Sequence, residues 1–418
     1  MPVNIRILDA ANKHMQRLGF LKLLAHHAQR TETSNLAALA NPLVDAAIKR
    51  VRMEPPYSAH VKDYVQHRLT GSVYTELRNS VLGKNPTQAA LEMQDLYLSD
   101  PRMPSTTGKL NDASREKYPY LGTALGLIKP GTWSSMTRAM TLLALVPPEE
   151  LSAFEKYSEQ HNPLLLSREQ AALMLYCLID NDAEILFPLY DQLLKIGGSS
   201  FDGRIAGDLL PDIIRSVVNA LSKTSLPVED RDRLAHLEKV AGTIASYRDR
   251  NYSGTTAREV SIRVRLEPFC DVGLLTKTDR HRFVYQFTPA LKKLMADWGS
   301  LENTDNFLQN HFFTTLSNSY NLVVTQASEE DAHSALQQAG IELSSAIGYS
   351  PIKDCALLAG IRLLFTQLKV LELGRSHQIL LAWQKEAPSF VRFTVDRMGG
   401  LAYVKFLKTM APLIHDKQ

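Results

Sequence analysis

Seven side chains that could engage phosphate crowd into one stretch of this chain: Arg258, Arg263, Arg265, Lys277, Arg280, His281 and Arg282. Each guanidinium or ammonium that neutralises a backbone phosphate releases condensed counterions, and arginine adds a planar fork that matches phosphate oxygens or a guanine edge. From Arg248 to Lys293 ten Lys and Arg stand against five Asp and Glu, a local balance of +5 that exceeds the +3 of the whole chain. The remaining residues are therefore slightly acidic in sum, which excludes a histone-like, globally polycationic protein.

Signals for catalysis are weaker. There is no phosphate-cradling P-loop, no Gly-x-Gly-x-x-Gly fingerprint, no His-Glu-x-x-His and no Gly-x-Ser-x-Gly. His26 and His27 are consecutive, so on a helix they point to different faces and do not chelate one ion. The acids of the run from Asp180 to Glu184 have the chemistry of a magnesium site, but helix capping accounts for them more cheaply. Asp354 followed by Gln367 and Lys369 loosely resembles the acid, Gln-x-Lys set of restriction-type nucleases; that set needs strands, whereas the spacing here is helical. Cys177, Cys270 and Cys355 are too far apart for a zinc site or a small disulfide framework. The expectation is no cofactor, no metal and no catalytic residue.

The elements that position the basic stretch are mostly helices. The chain has 418 residues, 44% hydrophobic and 22% charged, enough for several domains with ordinary cores. Ser167 and Gln170 read as a capping box opening a helix from Arg168 to about Ile179, and Asn181 with Glu184 as a second box. That second helix ends at Gly197-Gly198, with a kink expected at Pro188. Ser328 caps EEDAHSALQQAG, with Gly340 as its stop. Ser350-Pro351 opens a further helix running to about Gly374.

Strands are few and follow helices as hairpins. Leu274 to Lys277, the turn TDRH and Arg282 to Thr288 form the clearest, with Phe283, Tyr285 and Phe287 alternating onto one face. FVRFTVDRMGGLAYVKF reads as a second hairpin, with Gly399-Gly400 at the turn and Val391, Phe393 and Val395 on one face. Helix, Gly-Leu-[Ile/Leu], turn, and then a second helix or a hairpin and helix occurs twice, at EKYPYLGTALGLIKPGTWSSMTRAMTLLAL and at RLEPFCDVGLLTKTDRHRFVYQFTPALKKL.

Both segments resemble the winged-helix form of the helix-turn-helix fold, the second (256–298) more closely than the first (111–145). The resemblance implies contact with DNA by the helix before the wing and by the wing tip, which nominates Arg258, Arg263 and Arg265 on the helix and Lys277, Arg280, His281 and Arg282 around the wing. Pro268 departs from the pattern, because it should kink or split that helix. Lys109, Arg115, Lys117, Lys129 and Arg138 would be the corresponding contacts of the first unit, Trp133 reads as a packing residue, and the basic stretch from Ala47 to Gly71 reads as a solvated helix face.

The sequence thus predicts a mainly α, multi-domain helical protein with one or two winged-helix units and a C-terminal β-hairpin. The expected divisions are 1–104 helical, 105–160 a winged-helix unit, 161–247 helical, 248–300 the second winged-helix unit, and 301–418 helical ending in the hairpin. The opening residues never reach the apolar run of a signal peptide, and CALLAGIRLLF is too short and too charged to span a bilayer, so a cytoplasmic protein with no membrane partner is expected. By analogy with proteins of this size, the expected role is a non-catalytic, double-stranded-DNA-binding component of a bacterial DNA-processing, antiviral-defence or chromosome-maintenance complex, working with protein partners. Two other classes fit the same residues: an interaction scaffold for a partner ATPase or nuclease, and a metal-dependent nuclease.

Overall fold

A computed structural model describes residues 6–8, 18, 21–22, 25, 125, 127, 138–147, 166–196, 198–224, 228–249, 256–277, 284–301, 303–344, 348–395 and 401–407. These residues are mainly helical. In chain order the first elements are α1 (Arg138–Ala144), α2 (Arg168–Ile196), β1 (Ser200–Asp202), α3 (Gly203–Leu221), α4 (Val228–Asp249) and α5 (Thr256–Asp271). Then come β2 (Leu275–Lys277), β3 (Val284–Phe287), α6 (Pro289–Gly299), α7 (Thr304–Asn310) and α8 (Phe312–Ser319). The last are β4 (Thr325–Gln326), α9 (Glu329–Glu342), β5 (Ser350–Pro351), α10 (Ile352–Gln367), β6 (Lys369–Val370), α11 (Leu373–Glu386), β7 (Val391–Val395) and β8 (Leu401–Phe406). None of the described helices is long and apolar enough to cross a membrane.

The α2 helix organises the rest, packing against α3, α5, α6, α7 and α10. Its opening is the expected capping box: the Gln170 amide donates to Ser167 Oγ (3.2 Å) and the Ser167 amide to Gln170 Oε1 (3.1 Å). The second box does not form. The Asn181 side chain instead donates back to the Cys177 carbonyl (2.8 Å), and Asp182 is the residue that leaves helical geometry (φ −139°, ψ 17°). The break thus falls at Asp182, whose carboxylate has buried partners on other segments, and not at Pro188. Around α2 runs a chain of rings, Phe187 to Trp298 (5.3 Å), Trp298 to Phe307 (5.7 Å), Phe307 to Phe312 (6.2 Å) and Phe312 to Tyr176 (5.2 Å). Phe307, Phe312 and Tyr176 are fully buried, and each such phenylalanine contributes roughly 1.5–3 kcal/mol of transfer free energy.

Each expected hairpin gains a third strand that the sequence did not announce. β3 pairs antiparallel with β2 on one side and β1 on the other, so the sheet order is β1-β3-β2. Phe201, Tyr285, Phe287 and Leu275 form its buried face, and Ser200, Gln286 and Thr276 its exposed cross-strand row. The C-terminal hairpin pairs Val391 with Phe406 and Phe393 with Val404, and β5 adds to its other edge. Its turn at Gly399-Gly400 lies outside the described residues. β4 and β6 make a short parallel pair, Thr325 opposite Lys369.

Three expected helix ends move. α9 has its capping box, with Ser328 and Asp331 as partners, yet it continues past Gly340 to Glu342. Gly340 is a close-approach site: a β-carbon there would collide with the Phe406 ring. Ser350 and Pro351 form β5, and the Ser350 hydroxyl donates to the Gly340 carbonyl rather than capping α10. α10 stops at Gln367 because Leu368 adopts the left-handed conformation (φ 55°), well before Gly374. Glu372 then accepts from the amides of Phe313 (3.1 Å) and Thr314 (2.8 Å) and from the Thr314 hydroxyl (2.8 Å), supplying the cap that α8 lacks locally. Burial pushes its carboxyl pKa up, against the pull of those donors.

Candidate nucleic-acid interface

The turn from α5 into the β2–β3 hairpin is built by a Schellman motif. The Leu274 amide donates to the Phe269 carbonyl (2.8 Å) and the Gly273 amide to the Cys270 carbonyl (3.1 Å), with Gly273 at φ 78°. The buried Leu274 and Phe269 side chains supply the apolar contact of that motif. Thr288, at the end of β3, closes the unit: its hydroxyl donates to the Leu274 carbonyl (2.9 Å) and accepts from the Leu291 amide, capping α6. The hairpin is thereby fixed beside the end of α5. Pro268 does not split the helix, which runs continuously through it. The Tyr190 hydroxyl donates to the Arg265 carbonyl in the turn that Pro268 enters (2.8 Å), and the Tyr190 ring stacks on Phe269 at 4.5 Å.

The nominated cations separate into two groups. Arg265 is 3% exposed and faces the core. Its Nε and Nη2 donate to the two oxygens of Asp182 (2.7 and 3.0 Å), and Nη2 also reaches the Leu8 carbonyl (3.1 Å). In this fold it is an internal ion-pair partner and has no path to a phosphate. Lys277 is half-buried, donating to Glu267 Oε1 (2.9 Å) and lying 5.6 Å from the centre of the Tyr285 ring. The Tyr285 hydroxyl donates to the same Glu267 oxygen (2.7 Å). Arg258 and Arg263 belong to α5, but their side chains, like Arg280, His281 and Arg282, lie outside the described residues. So do Lys109, Arg115, Lys117, Lys129, Trp133, the 47–71 stretch and the His26-His27 pair.

The sequence held a signal for Arg265. Ile262, Arg265, Leu266 and Phe269 follow the i, i+3, i+4, i+7 spacing of one helix face, and all four are buried. Asp182 carried no such signal, because its role depends on a partner far along the chain.

The acids considered for metal chemistry are held by cations. Asp180 accepts from Lys353 (2.7 Å) and from Arg138 (3.5 Å), with Arg6 at 3.9 Å. Burial alone would raise its pKa, but Lys353 and Arg138 outweigh it and hold the carboxyl below its usual range. Asp354 accepts from Arg138 Nε (3.0 Å). Burial opposes the charge on Arg138, yet Asp354, Cys177 and Asp180 outweigh it and keep the guanidinium protonated. Burial pushes the Cys177 thiol up to about 11, so it is no ready nucleophile.

The nuclease-like set is not assembled. Asp354 lies in the first turn of α10 and Lys369 beyond its last, roughly 20 Å along a helix rising about 1.5 Å per residue. Lys369 is engaged instead by Asp331 (2.7 Å). Among the described residues, no group of three or more His, Cys, Asp and Glu side chains is arranged to hold a metal ion. The chain matches no protein-family model, no curated protein and no solved structure.

Proposed function

We propose that this protein binds duplex DNA through the unit built from β1, α3, α5 and the β2–β3 hairpin, a winged-helix unit with α4 inserted before its reading helix. The observation that carries the reading is the sheet order β1-β3-β2 clamped to the end of α5 by the Gly273 turn. That order joins a strand upstream of the helices to the hairpin and holds helix and wing side by side, where one can enter a major groove while the other follows the flanking phosphates. The +5 balance of residues 248–293 supports it. The contacts proposed are Arg258, Arg263, Arg280, His281 and Arg282; Arg265 and Lys277 serve the interior. The role proposed is that of a binding component of a larger DNA-processing assembly.

Fluorescence anisotropy of a short duplex at two salt concentrations tests this. Wild type should bind more tightly at low salt, and the quadruple variant Arg258→Ala, Arg263→Ala, Arg280→Ala, Arg282→Ala should fold and lose binding together with most of the salt slope. No binding by wild type at low salt would overturn the reading. A second reading, a scaffold that clamps a protein partner, draws support from Val323 and Leu368, 90% and 46% exposed. They stand at the same end of the β4–β6 pair.

A further inference from the structure

Residues 6–8 cross the break in α2 without belonging to any helix or strand. Three of their backbone groups are bonded to other segments. The Leu8 amide donates to Asp182 Oδ1 (2.8 Å), Asp182 accepts both nitrogens of Arg265, and Arg265 Nη2 donates to the Leu8 carbonyl (3.1 Å). This is a closed ring of hydrogen bonds through three segments: the N-terminal strap, α2 and α5. Arg6 extends the attachment. Its carbonyl accepts from the Glu184 amide (3.3 Å), and its guanidinium engages Asp305 at the start of α7. Further along, the Leu18 amide donates to Asp271 in the last turn of α5 (2.8 Å), and Lys22 donates to Gln170 in the first turn of α2 (2.8 Å). Arg6, Ile7, Leu8, Leu18, Leu21 and Lys22 are all buried.

We infer that this N-terminal strap sets the pose of α5 on α2 and thereby controls the helix that the proposed function places on DNA. The inference rests on that reading for its consequence, but its geometry stands apart from it. In a buried ring each bond polarises the next, and losing one member leaves groups of the other two unsatisfied. The ring can open without breaking the internal ladder of either helix, since it is made by side chains and by a strap outside the helices. It is therefore a joint whose state α5 senses and α9, packed on α10, α11 and β8, does not.

The test is amide hydrogen exchange on the full-length chain, comparing wild type with Leu8→Pro, which deletes the strap's donor to Asp182, and with Arg6→Met, which keeps apolar volume but frees Asp305. Peptides from 256–271 should exchange at least about tenfold faster in the variants, while peptides from 329–342 keep the wild-type rate. Duplex affinity should fall with the salt slope unchanged, because the phosphate contacts themselves remain. Unchanged exchange over 256–271 would overturn the inference, and so would equal acceleration over 329–342, the mark of general destabilisation. Should Leu8→Pro fail to fold, Arg6→Met alone decides. Acceleration over 256–271 in a protein whose wild type binds no duplex would remove the DNA reading and leave the strap coupling standing.

Discussion

Asp182 and Arg265 form a two-pronged ion pair, 2.7 and 3.0 Å, with both side chains almost wholly out of water. It joins the one residue of α2 that abandons helical geometry to the inward face of α5. The pair sits at the break itself, where the Asp182 carboxylate meets both the guanidinium and the Leu8 amide. Desolvating two charges is costly, and only good geometry with further hydrogen bonds offsets it.

Removing one partner should therefore be severe. Asp182→Ala is expected to cost about 3–5 kcal/mol, since it leaves the Arg265 guanidinium buried without an anion. The double variant Asp182→Ala, Arg265→Met should recover a large part of that loss. Urea midpoints of the two single variants and the double variant measure it; simple additivity of the single losses would show that the residues do not act as a pair.

The same neighbourhood makes stability depend on pH. Burial pushes the Glu184 carboxyl up to about 7, against the pull of Arg6, with Asp182 and Asp305 adding to the rise. The folded chain then holds a proton that the unfolded chain releases near the ordinary carboxylate value. The contribution is favourable below about pH 4.5 and declines as pH rises toward 7, by up to about 3 kcal/mol. Glu184→Gln should match wild type in acid and exceed it at pH 8. Parallel stability curves for the two proteins across that range would contradict the assignment.

Gly340 gives a packing prediction. A methyl group at this position on α9 meets the Phe406 ring of β8. Gly340→Ala should cost about 1–3 kcal/mol by displacing that ring, despite the better helix propensity of alanine. Trp383 lies 5.6 Å from Phe406, so its fluorescence should shift in the folded variant. A more stable variant with unaltered fluorescence would show that the hairpin does not press on α9.

How far the sequence reached follows from the range of each interaction. The Ser167–Gln170 box and the Ser328 cap close within one turn, and the alternation of Tyr285 and Phe287 needs only its own strand, so all of these were legible. β1 was not: Ser200-Phe201-Asp202 becomes a strand only because β3 pairs with it from far along the chain. Glu372 is likewise an acid whose meaning comes from the start of α8. Within the proposed interface the basic density was legible, and so was the hairpin. The division of cations between interior and surface was half legible: the apolar stripe marks Arg265 as inward-facing, but its counter-ion Asp182 comes from far along the chain.

Lys369 separates a structural from a catalytic role. Its ammonium bonds Asp331 at 2.7 Å, and this bond, with the Ser328 hydroxyl, holds the Asp331 carboxyl down to about 2. The two side chains are 31% and 22% exposed, so solvent screening limits the pair to less than about 1 kcal/mol. A lowered folded pKa stabilises above the ordinary aspartate value, and the benefit disappears as pH falls through 2. Lys369→Met should thus lower stability at pH 7 by no more than about 1 kcal/mol, lose that difference near pH 2, and leave duplex affinity where it was. Metal-dependent cleavage of DNA by wild type that vanishes in Lys369→Met would instead make this lysine a catalytic residue and would reverse the reading of its pairing with Asp331.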